Sequence, residues 1–421
     1  MKTPKGTRDS PPEREQLRNE ILKECERVFQ LYGAQRIDTP TFELYDMLME
    51  KYQNDDTKKE IFVLENKKEN SVPFSENPKT FKEKCALRYD LTVPFSRYVK
   101  MNRIKSMKRY QIGKVFRRDK PSPGRYREFM QCDYDCLGKN DEVRSDIETL
   151  TLLNTILGVL KEKFGLPDYV IRINSREILV DMFKMCDIDE SLFLPVCSSI
   201  DKVDKLSWVE VRSEILLKGV SESSVDKLGE FLGKKDVDFV NENSLKKMQK
   251  ILAEKLPLQL DVAMVRGLCY YTGIIFEVVL KDEKSLSIAG GGRYDNLCDI
   301  PCVGFSLGID RILEYTKLSE IGSVKVWVLE INKDNKTEIT DYRMEIVKML
   351  RMNGISCDTS LKIKQKAVKK QFKYASDNKI PFTIIVGETE YNNNLVTLKN
   401  MNNKTQQTLN LNELYLNLKE N

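Results

Sequence analysis

The segment 124–136, GRYREFMQCDYDC, alternates strictly. Its odd positions are Arg125, Arg127, Phe129, Gln131, Asp133 and Asp135, and its even ones are Tyr126, Glu128, Met130, Cys132, Tyr134 and Cys136. A period of two is that of a strand, so two guanidiniums, an aromatic ring, an amide and two carboxylates share one face. Taken alone, such a face is most often a solvated one. Arginine recurs in three further segments, VFRRD at 115–119, RGLCYYTG at 266–273 and PCVGFSLGIDR at 301–311. Guanidinium forks match phosphate oxygens, so arginines converging from these segments would suit a nucleoside triphosphate. No GxxxxGK[ST] loop is present, and SIAGGGRYDNL at 287–297 reads as a glycine-rich turn that permits close backbone approach.

What is missing narrows the chemistry further. The 421 residues include no histidine, which removes Ser/His/Asp triads, Cys/His nucleophiles, HExxH zinc sites and imidazole acid-base catalysis together. Ten cysteines occur without any CxxC, and the spacings Cys132/Cys136 and Cys298/Cys302 do not resemble zinc pairs. Reduced, packed thiols are expected, with no resident metal. Catalysis must therefore use carboxylates, arginines, lysines, tyrosines or a hard cation brought with a substrate.

Composition is that of a globular protein, 41% hydrophobic and 32% charged, with length for two or three domains. No apolar run approaches the roughly 18 residues of a membrane span. The start, MKTPKGTRDSPPE, has no apolar signal core, so a cytoplasmic protein without membrane association is expected. The net charge of +5 resides in residues 323–421, where 16 Lys and Arg face 11 Asp and Glu. There Lys362, Lys364, Lys366, Lys369, Lys370 and Lys373 occur in a stretch without an acid, readable equally as a solvated helix face or a nucleic-acid footprint.

Several elements must position these groups. Ser10-Pro11-Pro12-Glu13 has the form of a capping box before a helix to about Tyr32, stopped by Gly33. Residues 107–117 alternate and RRDKPSPG turns into the opening strand, predicting an antiparallel hairpin. A helix is predicted over 143–164 and a buried strand over 169–174. Charged, leucine-punctuated helices fill 175–257, and strands at 258–263, 272–281, 285–289 and 302–307 complete one mainly antiparallel sheet. The last hundred residues alternate strand and helix as a small α/β domain.

In this order the segments resemble class II aminoacyl-tRNA synthetases: YGAQRIDTPTFE (32–43) is similar to their motif 1, residues 116–135 to motif 2, and 304–311 to motif 3. More narrowly, PKGTRD, RYDLTVPFSRY (88–98), GRYREFMQCDYD, RGLCYYTG, AGGGRYD and PCVGFSLGIDR together resemble the cytoplasmic histidyl-tRNA synthetase family. KKQFKYASDNKIPFTIIVGE (369–388) is similar to that family's anticodon-binding domain.

The resemblance implies an α+β fold, a class II antiparallel sheet flanked by helices, with a helical insertion and a C-terminal α/β anticodon-binding domain. Its divisions would be 1–174 for the first part of the catalytic domain, 175–257 for the insertion, 258–320 for the second part and 323–421 for the anticodon domain. It implies L-histidine, ATP and tRNA(His) as substrates, Mg2+ accompanying ATP, and a homodimer. Arg117 and Arg266 would be catalytic, Arg117 holding the α-phosphate and substrate carboxylate and Arg266 lying beside the reacting phosphate. Asp119, Arg125, Phe129 and Arg311 would join Arg117 in binding ATP, with Phe129 and Arg311 on opposite faces of adenine. Asp90, Leu91 and Thr92 would hold the α-amino end of histidine, and Gln131, Asp135, Tyr270 and Tyr271 would read its imidazole, beside Arg117 and Arg266. Three departures stand out: Asp119 and Asp310 where glutamate is usual, and Cys269 where the family has aspartate.

Overall fold

A computed structural model describes residues 1–52, 58–64, 84–122, 124–203, 206–233, 242–265, 270–281, 287–317, 324–332, 334–361 and 367–420. Two compact units divide the chain, Met1–Leu318 and Ser319–Asn421.

In the first unit β1 (Gln35–Arg36) precedes a small side sheet of β2 (Phe42–Leu44), β3 (Val63–Leu64) and β4 (Cys85–Leu87). A long hairpin of β5 (Met107–Phe116) and β6 (Glu128–Leu137) follows, then β7 (Tyr169–Ser175), β8 (Leu258–Leu260), β9 (Ile274–Leu280), β10 (Ala289–Tyr294) and β11 (Cys302–Gly308). They form an eight-stranded sheet in the order β1-β5-β6-β11-β10-β9-β7-β8, antiparallel except at its two ends, where β1 runs parallel to β5 and β8 to β7.

The even residues of β6 build the core. Cys132, Tyr134 and Cys136 pack with Leu150, Leu153 and Leu157 of the helix Glu142–Phe164, and the Tyr134 ring stacks 5.9 Å from Phe29 of the helix Pro12–Leu31. The odd residues Gln131, Asp133 and Asp135 are buried as well. Alternation on this strand thus separates two chemistries rather than inside from outside. Asp141 caps the long helix by accepting from the Arg144 amide at 2.9 Å, and Gly165 at φ 68° ends it.

Two expectations are corrected. The capping box at Ser10 does not form: the first helix begins at Pro12, Pro11 is its extended N-cap, and no side chain caps it. Pro12 pushes Pro11 out of the helical region, and a proline at that point has no N–H to cap. The glycine-rich segment is no turn, because Ala289–Tyr294 is a central strand between β9 and β11. A Cβ on Gly291 would lie 2.2 Å from the Gly304 carbonyl oxygen, so closeness of strands, rather than chain reversal, calls for glycine there. Of the predicted strand at 285–289, residues 285–286 lie outside the described residues and only Ala289, the first residue of β10, is in a strand.

Between β7 and β8 the chain is helical, with Arg176–Met185, Phe193–Ile200, Trp208–Leu217, Glu222–Leu232 and Glu242–Leu252, and it has its own core around Met182, Val196, Ile215 and Leu228. In the second unit β12 (Val326–Ile331), β13 (Cys357–Thr359), β14 (Phe382–Gly387), β15 (Leu395–Asn400) and β16 (Gln406–Asn410) make a sheet in the order β13-β12-β14-β15-β16. Lys369, Lys370 and Lys373 are exposed on the helix Val368–Asp377, whereas Lys362, Lys364 and Lys366 lie outside the described residues. No helix among the described residues is long and apolar enough to cross a membrane.

Candidate active site

Strand register builds the site in rows. Arg109, Asp135 and Gly304 are opposite one another on β5, β6 and β11; so are Gln111, Asp133 and Ser306, and Gly113, Gln131 and Gly308. Paired residues on adjacent strands share a face, so the polar odd positions of β6 meet polar or glycine neighbours on both sides.

Asp135 is the most elaborately held of these groups. Arg109 Nη2 lies 2.5 Å from its Oδ2, and the Tyr294 hydroxyl donates to its Oδ1. Arg109 is itself fully buried, its guanidinium 4.4 Å from the Phe95 ring centroid and its Nη2 donating to the Leu91 carbonyl at 3.4 Å. A Cβ on Gly304 would fall 2.1 Å from Asp135 Oδ1, so glycine there makes room for the carboxylate. Burial pushes the Asp135 carboxyl up to about 6, with Arg109 and the Tyr294 hydroxyl pulling it down. Asp133 goes up to about 7, again by burial, with Arg109 opposing. The buried atoms Gln131 Oε1, Asp133 Oδ1 and Gln111 Oε1 find no hydrogen-bond partner among the described residues. Buried polar atoms are normally satisfied, so acceptors left over in one place are what a ligand's donors would complete.

The expected imidazole and amino-group residues surround this floor. The Tyr270 and Tyr271 rings are 4.4 Å apart, with Tyr270 edge-on to Tyr294 at 6.2 Å, and burial raises both hydroxyls above the ordinary phenol. Gly292 accommodates Tyr271, whose Cδ1 would be 2.8 Å from an added Cβ. Asp90 Oδ1 accepts from the Val93 amide at 2.9 Å; its carboxyl is held above the usual range by burial, against the pull of that amide and of Arg117. Leu91 is fully buried and Thr92 opens the helix Thr92–Asn102. Arg266 and Cys269 lie outside the described residues.

Toward the hairpin tip the cations gather. The Arg117 guanidinium sits 4.2 Å from the Tyr89 ring centroid and 5.1 Å from that of Phe129, and its Nε donates to the Tyr89 carbonyl at 3.2 Å. Arg125 Nε donates to Asp119 Oδ2 at 2.7 Å. Arg311 Nη1 donates to the Ser287 carbonyl at 2.6 Å and its Nε to the Gly124 carbonyl at 3.3 Å, which ties it to the tip. Arg117, Arg125 and Arg311 are therefore associated with one hairpin. No contact joins Phe129 to Arg311 among those described.

Some supporting residues escape sequence reasoning. Arg109 lies outside every motif quoted, although a register count from Asp135 would have found it, and Tyr294 lies in AGGGRYD without a role of its own there. Asp310 serves as a brace: its Oδ2 accepts from the Met130 amide at 2.7 Å and its Oδ1 from Arg8 at 2.7 Å. Arg8 also donates to the Tyr126 hydroxyl at 2.6 Å. The Arg127 amide donates to the Gly6 carbonyl at 2.8 Å and its Nε to the Asp119 carbonyl at 3.2 Å. The segment PKGTRD thus straps the hairpin to the helix Ile309–Tyr315. Among the described residues no group of three or more cysteines or carboxylates could hold a metal ion.

The family model for histidyl-tRNA synthetase matches residues 6–312, and an anticodon-binding domain matches 325–421. A probable cytoplasmic histidine-tRNA ligase of Vairimorpha ceranae is 35% identical over 98% of both chains. A mitochondrial histidine-tRNA ligase of Mus musculus is 35% identical over 97% of this chain and 86% of its own. The solved histidyl-tRNA synthetase of Nostoc shares the fold, with a TM-score of 0.77 at 24% identity over 100% of this chain and 99% of that one. With both the catalytic and the anticodon-binding parts matched along the chain, it belongs to the histidyl-tRNA synthetase family, ATP-dependent ligases that join histidine to tRNA.

Proposed function

We propose that this chain activates L-histidine with ATP to histidyl-adenylate and pyrophosphate, then transfers histidine to the 3′ end of tRNA(His). The observation that carries the reading is the buried row Arg109–Asp135 with Tyr294, flanked by unsatisfied Gln131 and Asp133 and leading to an arginine-rich hairpin. In the first step the histidine carboxylate attacks the α-phosphorus, and negative charge grows on the nonbridging oxygens as pyrophosphate leaves. Arg117, held over Tyr89 and Phe129, would meet that charge. Arg266 would share this task from outside the described residues. Arg125 and Arg311 take the outer phosphates, and Phe129 stacks on adenine. Asp90 and Thr92 bind the α-ammonium beside Leu91, while Gln131, Asp135, Tyr270 and Tyr271 read the imidazole.

Mg2+ would enter with ATP; Asp119 and its neighbour Glu60, whose carboxyl is raised by burial and then by Asp119, would offer it carboxylates, and one or two such ligands plus substrate phosphates suffice for this ion. The divisions 1–174 and 258–320 for catalysis, 175–257 for the insertion and 323–421 for the anticodon complete the assignment. The protein works as a homodimer in the cytoplasm, a location named for several relatives.

Histidine-dependent exchange of pyrophosphate into ATP tests the reading, run beside the other amino acids. Exchange with histidine alone is expected. Folded protein that binds histidine without exchange would instead be a histidine sensor built on the same fold.

A further inference from the structure

Arg109 has no place in the assigned chemistry, yet it is a fully buried guanidinium at the imidazole end of the pocket. We propose that Arg109 is a positioning residue that keeps Asp135 ionised and oriented, so that the pocket accepts the histidine side chain as neutral imidazole and not as imidazolium. This rests on the reading of the site as a histidine-activating one.

The argument is one of charge and geometry. Among the described residues, the titratable and charged groups facing this pair include Asp133, Tyr134 and Cys136 on β6, Tyr271 before β9, Tyr294 on β10, Cys298 after it, Cys302 on β11 and Asp90 before the helix Thr92–Asn102. Arg109 is the cation that meets Asp135 directly, while the Coulombic partner of Asp90 is Arg117. With Arg109 present, Asp135 is neutralised by a fixed neighbour and still has lone pairs free to accept one imidazole N–H. The α-ammonium of the substrate answers Asp90. An imidazolium would then bring a second cation beside Arg109, while the remaining carboxyl, Asp133, is pushed up to about 7 by burial and so is largely neutral in the acid range where imidazolium forms; like charges in a buried site repel strongly. Remove Arg109 and the balance reverses, because Asp133 and Asp135 become two buried acids without a cation of their own. Such a pocket favours the protonated ligand.

Geometry also fixes where Arg109 acts. Its Nη2 reaches both Asp135 and the Leu91 carbonyl, so one side chain links the carboxylate that meets the imidazole to the loop that meets the α-amino group. Its Nε and Nη1 find no partner among the described residues, and Phe95 covers its face. Arg109 therefore acts on the substrate through Asp135 and Leu91.

The test is the pH dependence of the KM for histidine in pyrophosphate exchange between about pH 5.5 and 8.5, a range that spans the imidazole value of about 6.5. In the native enzyme KM should rise about tenfold per pH unit below that value, since the usable form of the substrate is being lost. Arg109→Gln should raise KM at pH 8 about a hundredfold, change kcat only about threefold, and move the best pH to the acid side. Arg109→Lys, which keeps the charge, should retain the alkaline preference. A native KM that falls toward acid pH overturns the proposal, and this arm needs no variant to fold. A folded Arg109→Gln enzyme with the native profile overturns it too. The native enzyme's exchange at pH 8 separately tests the underlying reading: activity there with an unaltered Arg109→Gln profile leaves histidine activation standing and removes only the role of Arg109.

Discussion

On the proposed assignment, the two ends of the hairpin β5–β6 face the same substrates with opposite physics. At the imidazole end Arg109, Gln131, Asp133 and Asp135 are buried, fixed by register and partly unsatisfied. At the phosphate end Arg125 is exposed and paired with Asp119, and Arg311 rests on backbone carbonyls. Recognition of a small heteroaromatic ring depends on groups that cannot relax, because a buried group left unpaired carries its full desolvation cost. Recognition of a highly charged, solvated triphosphate can use groups that exchange one partner for another. Specificity should therefore be lost steeply at one end and gradually at the other.

The steepest loss is expected at Asp135. Asp135→Ala should lower kcat/KM for histidine by about 10^3 or more, through removal of an acceptor that a polar substrate needs and exposure of Arg109 as an unpaired buried cation. Pyrophosphate exchange at varied histidine measures it. Next comes Arg117→Ala, with an expected loss of about 10^2 to 10^3 in kcat, the usual effect of removing a donor to transition-state charge. Retention of kcat with a change only in KM would remove Arg117 from the reacting phosphate. Asp133→Asn probes the same burial through stability. The folded-state value of about 7 lies above the ordinary 3.8, so native protein loses stability as pH rises from about 4 to about 7. The variant is spared that loss: thermal denaturation should show no advantage near pH 4 and one on the order of 4 kcal/mol above pH 8. The smallest effect belongs to Arg125→Ala, about tenfold or less in the KM for ATP and weaker at high salt, because its ion pair is solvent-exposed.

The same contrast explains what could be read from the sequence. The alternation of GRYREFMQCDYDC gave the strand and its two faces, because a period of two is a local property, and the family resemblance then singled out Phe129, Gln131 and Asp135 on one of them. Chain length and texture likewise revealed the helical stretch after β7 and the small α/β unit at the end. Arg109 and Tyr294 were not legible as site residues, since their meaning depends on register across strands distant in sequence: Tyr294 is 159 residues from Asp135. AGGGRY was mistaken for a turn because glycine is usually a breaker, whereas here it lets β10 lie against Gly304 and Tyr271. Strand β16, with polar QQTLN at a sheet edge, offered no apolar alternation to find. Arg127 shares a face with the substrate residues in the one-dimensional pattern. Past the end of the ladder its side chain turns to the N-terminal strap, a change no periodicity encodes.

The central claim is that one end of this hairpin selects the amino acid and the other holds the nucleotide. It is tested most directly by measuring the separate KM values for histidine and ATP in pyrophosphate exchange for Asp135→Asn and Arg311→Gln. The account predicts a KM for histidine raised about a hundredfold with ATP within about threefold for Asp135→Asn, and for Arg311→Gln a shallower rise of about tenfold in the KM for ATP with histidine within about threefold. Equal changes in both constants for both variants would contradict it.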